Sequence, residues 1–232
     1  MSLQSIACSG GGAGVHEDVG SEPALEADGT AEDALVRGPL VNAPAVASIS
    51  QMPCLGVLVG RRTVLTSASC YKDTPANIPR TVWFPDGSGR TYAVASVVVH
   101  PAFRTQGVDT PSHDLAVLIL DTAPPIRPYA VGRTAPSVGQ SLTLITSGIS
   151  LAVRRRANIQ VQSASGAKFT WAQARDDQLT RYEYGAPVLD RGVLVGLLSH
   201  AELSPVATGL RLSAYATWIT QVTGGDVVLA TR

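Results

Sequence analysis

The sequence predicts an all-β protein, a sandwich or a barrel. Three observations predict it. The apolar runs are short and rich in Val, Ile, Leu and Thr. Clusters of Gly, Pro, Asp and Ser separate them. No long helical period intervenes, and regularly spaced short strands without helices close only as sandwiches or barrels.

The elements follow in order. Residues 1–38 combine Gly, Ala, Ser and acidic side chains with few large apolar ones. Such a segment cannot bury enough surface to offset its ordering entropy, so it reads as a linker, with brief local structure allowed over Ala24–Val36. The pattern changes at Leu40. Strands are expected at Val46–Ser50, Leu55–Val59, Thr63–Thr66, Val82–Phe84, Tyr92–His100 and Leu115–Leu120. A second set is expected at Ser141–Thr146, Ile159–Val161, Val188–Leu189, Val193–Ser199 and Gly209–Leu212. Turns fall at Pro85–Gly89, Asp121–Pro125 and Ala135–Ser137, where proline presets one backbone angle and glycine permits the left-handed one. Helical pieces are expected at Asp73–Pro79 and Tyr215–Val222. One domain over 39–223 results, with residues 224–232 as a C-terminal tail.

Composition narrows the classes. At 45% hydrophobic and 16% charged, the 232 residues suit a water-exposed globular domain, and no run reaches the roughly 18 apolar residues of a membrane-spanning helix. The net charge is zero but unevenly spread. Residues 1–39 carry Glu17, Asp18, Glu22, Glu26, Asp28, Glu32 and Asp33 against Arg37, so the remainder is basic. This reads as a solvated acidic tail on a mildly basic domain. No metal-ligand spacing, phosphate loop or nucleotide fingerprint occurs; no cofactor, metal or nucleic-acid partner is expected. Arg154-Arg155-Arg156 reads as a solvated charged loop. Cys8, ahead of a Gly-rich tether, is similar to a lipoprotein processing site, which implies a lipid anchor; a plain unpaired tail cysteine is the alternative. Arg far outnumbers Lys, in keeping with a GC-rich bacterial source.

The segment Cys54-Leu55-Gly56-Val57-Leu58 through Val64-Leu65-Thr66-Ser67-Ala68-Ser69-Cys70 resembles the histidine segment of trypsin-like serine proteases, C-G-G-S-L … V-L-T-A-A-H-C. Ser69 stands where the family has its histidine. His113-Asp114-Leu115-Ala116-Val117-Leu118 resembles the D-I-A-L strand and keeps Asp114. Tyr182-Glu183-Tyr184-Gly185-Ala186-Pro187 aligns with G-D-S-G-G-P, with Tyr184 in place of the serine. Val97–Pro101, Val138–Gly148 and Arg211–Ile219 match further landmarks in the right order, so the resemblance covers roughly residues 40–222.

The resemblance implies two six-stranded antiparallel barrels, a C-terminal helix and a Cys54–Cys70 disulfide. Such a bridge implies an oxidising, extracytoplasmic compartment. It also implies that Ser69, Asp114 and Tyr184 are the triad positions, of which only Asp114 is retained. Ser69 is no base near neutral pH, and Tyr184 ionises near 10. Loss of one main triad member costs on the order of a million-fold. Tyr182 replaces a glycine whose N–H faces the developing oxyanion, and Glu183 replaces the aspartate that receives a new N-terminus. Leu40-Val41-Asn42-Ala43 after Arg37-Gly38 matches the activation segment poorly. Gln178 lies at the base of the primary pocket, with Asp176 and Asp177 nearby. Ser199, His200 and Ala201 form the substrate strand.

His200 is the one histidine placed to rebuild a site, by pairing with Ser199, Ser69 or Tyr184; a chance cleft histidine is the plainer reading. His100 reads as structural, and His113 as pointing from the cleft. Asp114 reads as a buried carboxylate capped by Ser69 and backbone donors. The expected function is binding of a protein or peptide partner by a pseudoprotease, as a decoy, regulator or adhesion module. The alternatives are a serine hydrolase with a rearranged site, and an assembly module that takes a peptide as an added strand along Ser199–Ala201.

Overall fold

A computed structural model describes residues 37–50, 54–71, 80–105, 111–148, 150–173, 178–201 and 204–231. Cys8, Asp176, Asp177, the helical piece expected at Asp73–Pro79 and the brief local structure allowed over Ala24–Val36 lie outside them.

Six strands form the first barrel: β1 (Val46–Ile49), β2 (Cys54–Leu58), β3 (Thr63–Thr66), β4 (Thr81–Trp83), β5 (Thr91–Val99) and β6 (Ala116–Leu120). They close in the order β1-β2-β3-β6-β5-β4, every pair antiparallel. β1 to β3 are buried along their whole length, which is why they read as continuous apolar runs rather than alternating ones. β5 is largely exposed and bulges between Val94 and Ser96.

The second sheet holds β7 (Ser141–Thr146), β8 (Arg155–Gln160), β9 (Ser163–Ser165), β10 (Lys168–Ala172), β11 (Pro187–Asp190), β12 (Val193–His200) and β13 (Val206–Arg211). Its order is β8-β7-β11-β12-β13-β10-β9. The two outermost strands are consecutive in the chain, with Val161 and Gln162 between them. The Val161 N–H donates to Gln140 O on the β7 side, and the Gln162 N–H donates to Thr170 O on the β10 side. β8 and β9 are thus halves of one bent strand. The sheet curls into a half-barrel of seven named strands, equivalent to the expected six. After a 3-10 turn at Leu212–Tyr215 comes α1 (Ala216–Val222).

Four strands depart from expectation. β8 begins at Arg155 rather than Ile159, β13 begins at Val206 rather than Gly209, and β9 and β10 are additional. β8 and β10 alternate: β8 buries Ala157 and Ile159 between exposed neighbours, and β10 buries Phe169 and Trp171. The period of two was present, carried by few apolar letters.

The Arg154–Arg156 run is not a solvated loop. Arg154 is among the largest fully buried side chains. Its guanidinium donates to the carbonyls of Val46, Leu151 and Val153 and to Ser48 Oγ, stitching the start of β8 to β1. Burial pushes its pKa down to about 10, against the opposing pull of Asp86. Arg155 donates to Gly38 O, and the Arg156 N–H donates to Pro39 O. Arg154→Ala strands several buried acceptors at once. The expected loss is about 3 kcal/mol, read as a lower urea midpoint at unchanged slope.

Within the tail expected over 224–232, residues 226–230 are tied to the body. The Val228 N–H donates to Val59 O, the Val131 N–H to Val228 O, and the Ala230 N–H to Val131 O. The alternating Val227, Val228 and Leu229 supply an extended segment that pairs with backbone groups the barrels leave open.

Candidate active site

Cys54, at the start of β2, is bridged to Cys70. The bridge closes a loop of sixteen residues, which contributes about 3 kcal/mol by restricting the unfolded chain. It pins the 3-10 turn Ala68–Cys70, whose cap is Ser67: Ser67 Oγ accepts the Ser69 N–H at 3.2 Å.

Asp114 stands just before β6 and is fully buried. Its Oδ2 accepts the hydroxyls of Ser67 and Ser199, each at 2.7 Å, and its Oδ1 accepts the Ser69 N–H at 2.6 Å. Burial pushes the carboxyl above its ordinary range, and these donors pull it part of the way back. Ser69 therefore meets Asp114 through its backbone N–H, and its side chain also draws the carboxyl down. Ser67 was missed as a ligand of this carboxylate; it lies two residues before Ser69 and caps the same turn.

Against the disulfide, Arg181–Glu183 form a second 3-10 turn. Thr180 and Glu183 make a capping box. The Thr180 N–H and hydroxyl both donate to Glu183 Oε2, at 2.9 and 2.8 Å, and the Tyr182 N–H donates to Thr180 Oγ1 at 3.2 Å. The Tyr184 N–H donates to Arg181 O at 3.2 Å. Glu183 is buried, and burial pushes its carboxyl up while Thr180 and Ser147 draw it down. Tyr182 is 45% exposed at the rim, with the Arg181 guanidinium 5.8 Å from its ring centroid.

Tyr184 turns inward and is buried. Its phenol oxygen lies 3.2 Å from Nδ1 of half-buried His200 at the end of β12. Ser199 and Ala201 on either side are fully buried. The Ala201 carbonyl is already taken, by Gln173 Nε2 at 2.6 Å. Gln173 was also missed; it continues the inward alternation of Phe169 and Trp171 past the end of β10. Gln178 is half-buried. Tyr184, His200, Ser199, Asp114 and Ser69 are thus linked by neighbouring contacts, whereas Tyr182 faces outward.

The other histidines belong elsewhere. The His113 ring stacks on His100 with centroids 4.9 Å apart, and both meet Tyr215 edge-on. His100 Nδ1 accepts the Ala102 N–H at 3.2 Å. Among the described residues no serine hydroxyl hydrogen-bonds an imidazole; the phenol of Tyr184 does.

The family model described as Trypsin matches residues 39–219. The chain belongs to the trypsin family. A stretch of 96 residues is 30% identical to Kallikrein-8 of Rattus norvegicus, over 39% of this chain and 37% of that protein. The match thus spans little more than a third of the curated relative. In solved structures the fold is similar to neuropsin, a serine protease expressed in the limbic system of mouse brain. That match has a TM-score of 0.66 and 21% identity, over 78% of this chain and 94% of that one. It is similar also to Kallikrein-related peptidase 10 in complex with Zn2+, with a TM-score of 0.67 and 21% identity, over 81% and 100%. At such identity these two structures speak for the fold alone.

Within this trypsin-family chain the chemistry can be read position by position. A serine peptidase needs a nucleophile, a base beside it, and N–H donors aimed at the oxyanion. The Ser69 N–H is held by Asp114 and the Tyr184 phenol by His200. The N–H groups of Tyr182 and Tyr184 are spent inside the 3-10 turn on Thr180 Oγ1 and Arg181 O.

Proposed function

We propose that this trypsin-family chain is catalytically silent and works by binding a protein partner at the rim of its closed cleft. One observation supports the reading: Ser69 and Tyr184, which we assign to the base and nucleophile positions, are held by Asp114 and His200, and the N–H groups of Tyr182 and Tyr184 are already engaged within one 3-10 turn. Restoring any one of the base, the nucleophile and the turn leaves the other two unmade. Buried Ser199 and Ala201, with the Ala201 carbonyl engaged by Gln173, speak against a peptide added as a strand there. Outside the cleft, Arg181 and exposed Tyr182 stack on a rigid capped turn. Tyrosine and arginine are the side chains that most often anchor protein interfaces. The disulfide supports an oxidising, extracytoplasmic setting, and lipid anchoring at Cys8 belongs to the same proposal.

The test is capture of a partner by the purified chain, followed by mass spectrometry of that partner and a binding titration with rim variants. Tyr182→Ala with Arg181→Ala is expected to weaken binding tenfold or more, with the partner recovered intact. A partner recovered cleaved, or one bound equally well by the rim variant, contradicts the reading.

A further inference from the structure

We propose that the C-terminal segment Asp226–Ala230 is a strap that holds the cleft closed from the far side of the molecule. The family match ends at residue 219, so the strap lies beyond the part of the chain shared with the family. The strap grips the first barrel directly and reaches the second through Val131. Asp226 accepts the N–H groups of Arg61 and Arg62, at 2.8 and 2.9 Å, and the Thr63 hydroxyl at 2.9 Å, all in the turn between β2 and β3. A Cβ added at Gly60 would stand 2.0 Å from Asp226 O, so the turn and the strap are in direct backbone contact. Partial burial raises the Asp226 carboxyl. The N–H groups of Arg62 and Arg61, the Thr63 hydroxyl and the Arg61 charge outweigh it and hold the group below its usual range.

Two residues further on, the strap joins the sheets. Val228 takes hydrogen bonds to Val59, just past β2, and from Val131, between the barrels. Val131 bridges in parallel to both Leu229 and Leu194, the latter near the start of β12. The strap therefore ties together the remote ends of β2 and β12. Their near ends build the cleft. Leu55 of β2 donates its N–H to Tyr184 O at 2.8 Å, and β12 ends in Ser199 and His200, which hold Asp114 and Tyr184. Strands are stiff along their length, so fixing two far ends fixes the separation of the near ends. Freeing the strap lets β2 and β12 diverge and unseats Tyr184 from His200.

That the cleft serves binding rests on the function proposed above; the coupling of strap to cleft does not, and it is measured without a partner. The experiment is amide hydrogen exchange by NMR on the full chain and on Asp226→Asn, with Val82→Ala, a core change in the first barrel remote from the strap, as reference. In Asp226→Asn the amide of Leu55, which bonds Tyr184 O between the barrels, and that of Gly185, which bonds Leu198 O next to Tyr184, should exchange at least tenfold faster. The Val94 amide, bonded to Arg80 O, should change less than threefold. In Val82→Ala the order should reverse. Equal acceleration of all three amides in Asp226→Asn, or no change at Leu55 and Gly185, overturns the proposal and leaves the segment a general contributor to stability. A strap confirmed here beside a partner that ignores the rim variant would sink the binding reading alone.

Discussion

Gly185→Ala is expected to destabilise the chain by about 3–5 kcal/mol, most of a typical domain's stability. Two costs add. Gly185 adopts φ +84, which L side chains resist. A Cβ there would also stand 2.0 Å from Leu55 O and 2.5 Å from Thr66 Oγ1. Those two atoms are themselves hydrogen-bonded at 2.7 Å, and Leu55 also holds Tyr184 O. The clash lands where β2 of the first barrel meets the Tyr184 turn of the second. Gly192→Ala separates the terms, because Gly192 has the same φ of +84 with no atom within 4 Å of a Cβ. It should cost only about 1 kcal/mol. Urea melts of the two variants check both values.

Asp114→Ala is expected to cost about 3 kcal/mol at neutral pH. It strands two buried hydroxyls and an N–H at once, offset in part by relief of a buried charge. The pH dependence has a definite sign. Burial raises the folded-state pKa of Asp114 above its unfolded value. The unfolded chain therefore loses this proton first as pH rises. The stability attached to the group is fully present below about pH 4 and declines from there through the raised pKa. Asp114→Asn, which does not titrate, should lack that share of the slope. Thermal melts between pH 3 and 7 read the difference; parallel curves for the two chains would contradict it.

Much of this architecture was legible in the letters. The runs at Val46, Thr63, Ser141 and Val193 became strands with bounds within a residue or two, because fully buried strands announce themselves as apolar runs. β10 escaped because only Phe169 and Trp171 carry its inward face. Arg154 was misread for the same reason: a charged letter looks solvated unless one knows which carbonyls await it. At the site, Ser69 and Tyr184 stand out in the sequence as substitutions in a resembling motif. The engagement of the Tyr182 and Tyr184 N–H groups is less visible, although Thr180-Arg181-Tyr182-Glu183 fits the capping-box pattern that accompanies it. Ser67 and Gln173 became apparent only once the fold set them against Asp114 and Ala201. The strap could not be read from sequence, since its partners lie more than ninety residues away in the chain.

Fluorophosphonate labelling of the purified chain decides whether serine-peptidase chemistry is present. Beside an active trypsin-family protease as control, the prediction is no serine adduct by mass spectrometry, in the wild-type chain and in His200→Ala alike. A stoichiometric adduct on one serine, lost in His200→Ala, would show a working nucleophile and base and contradict the account.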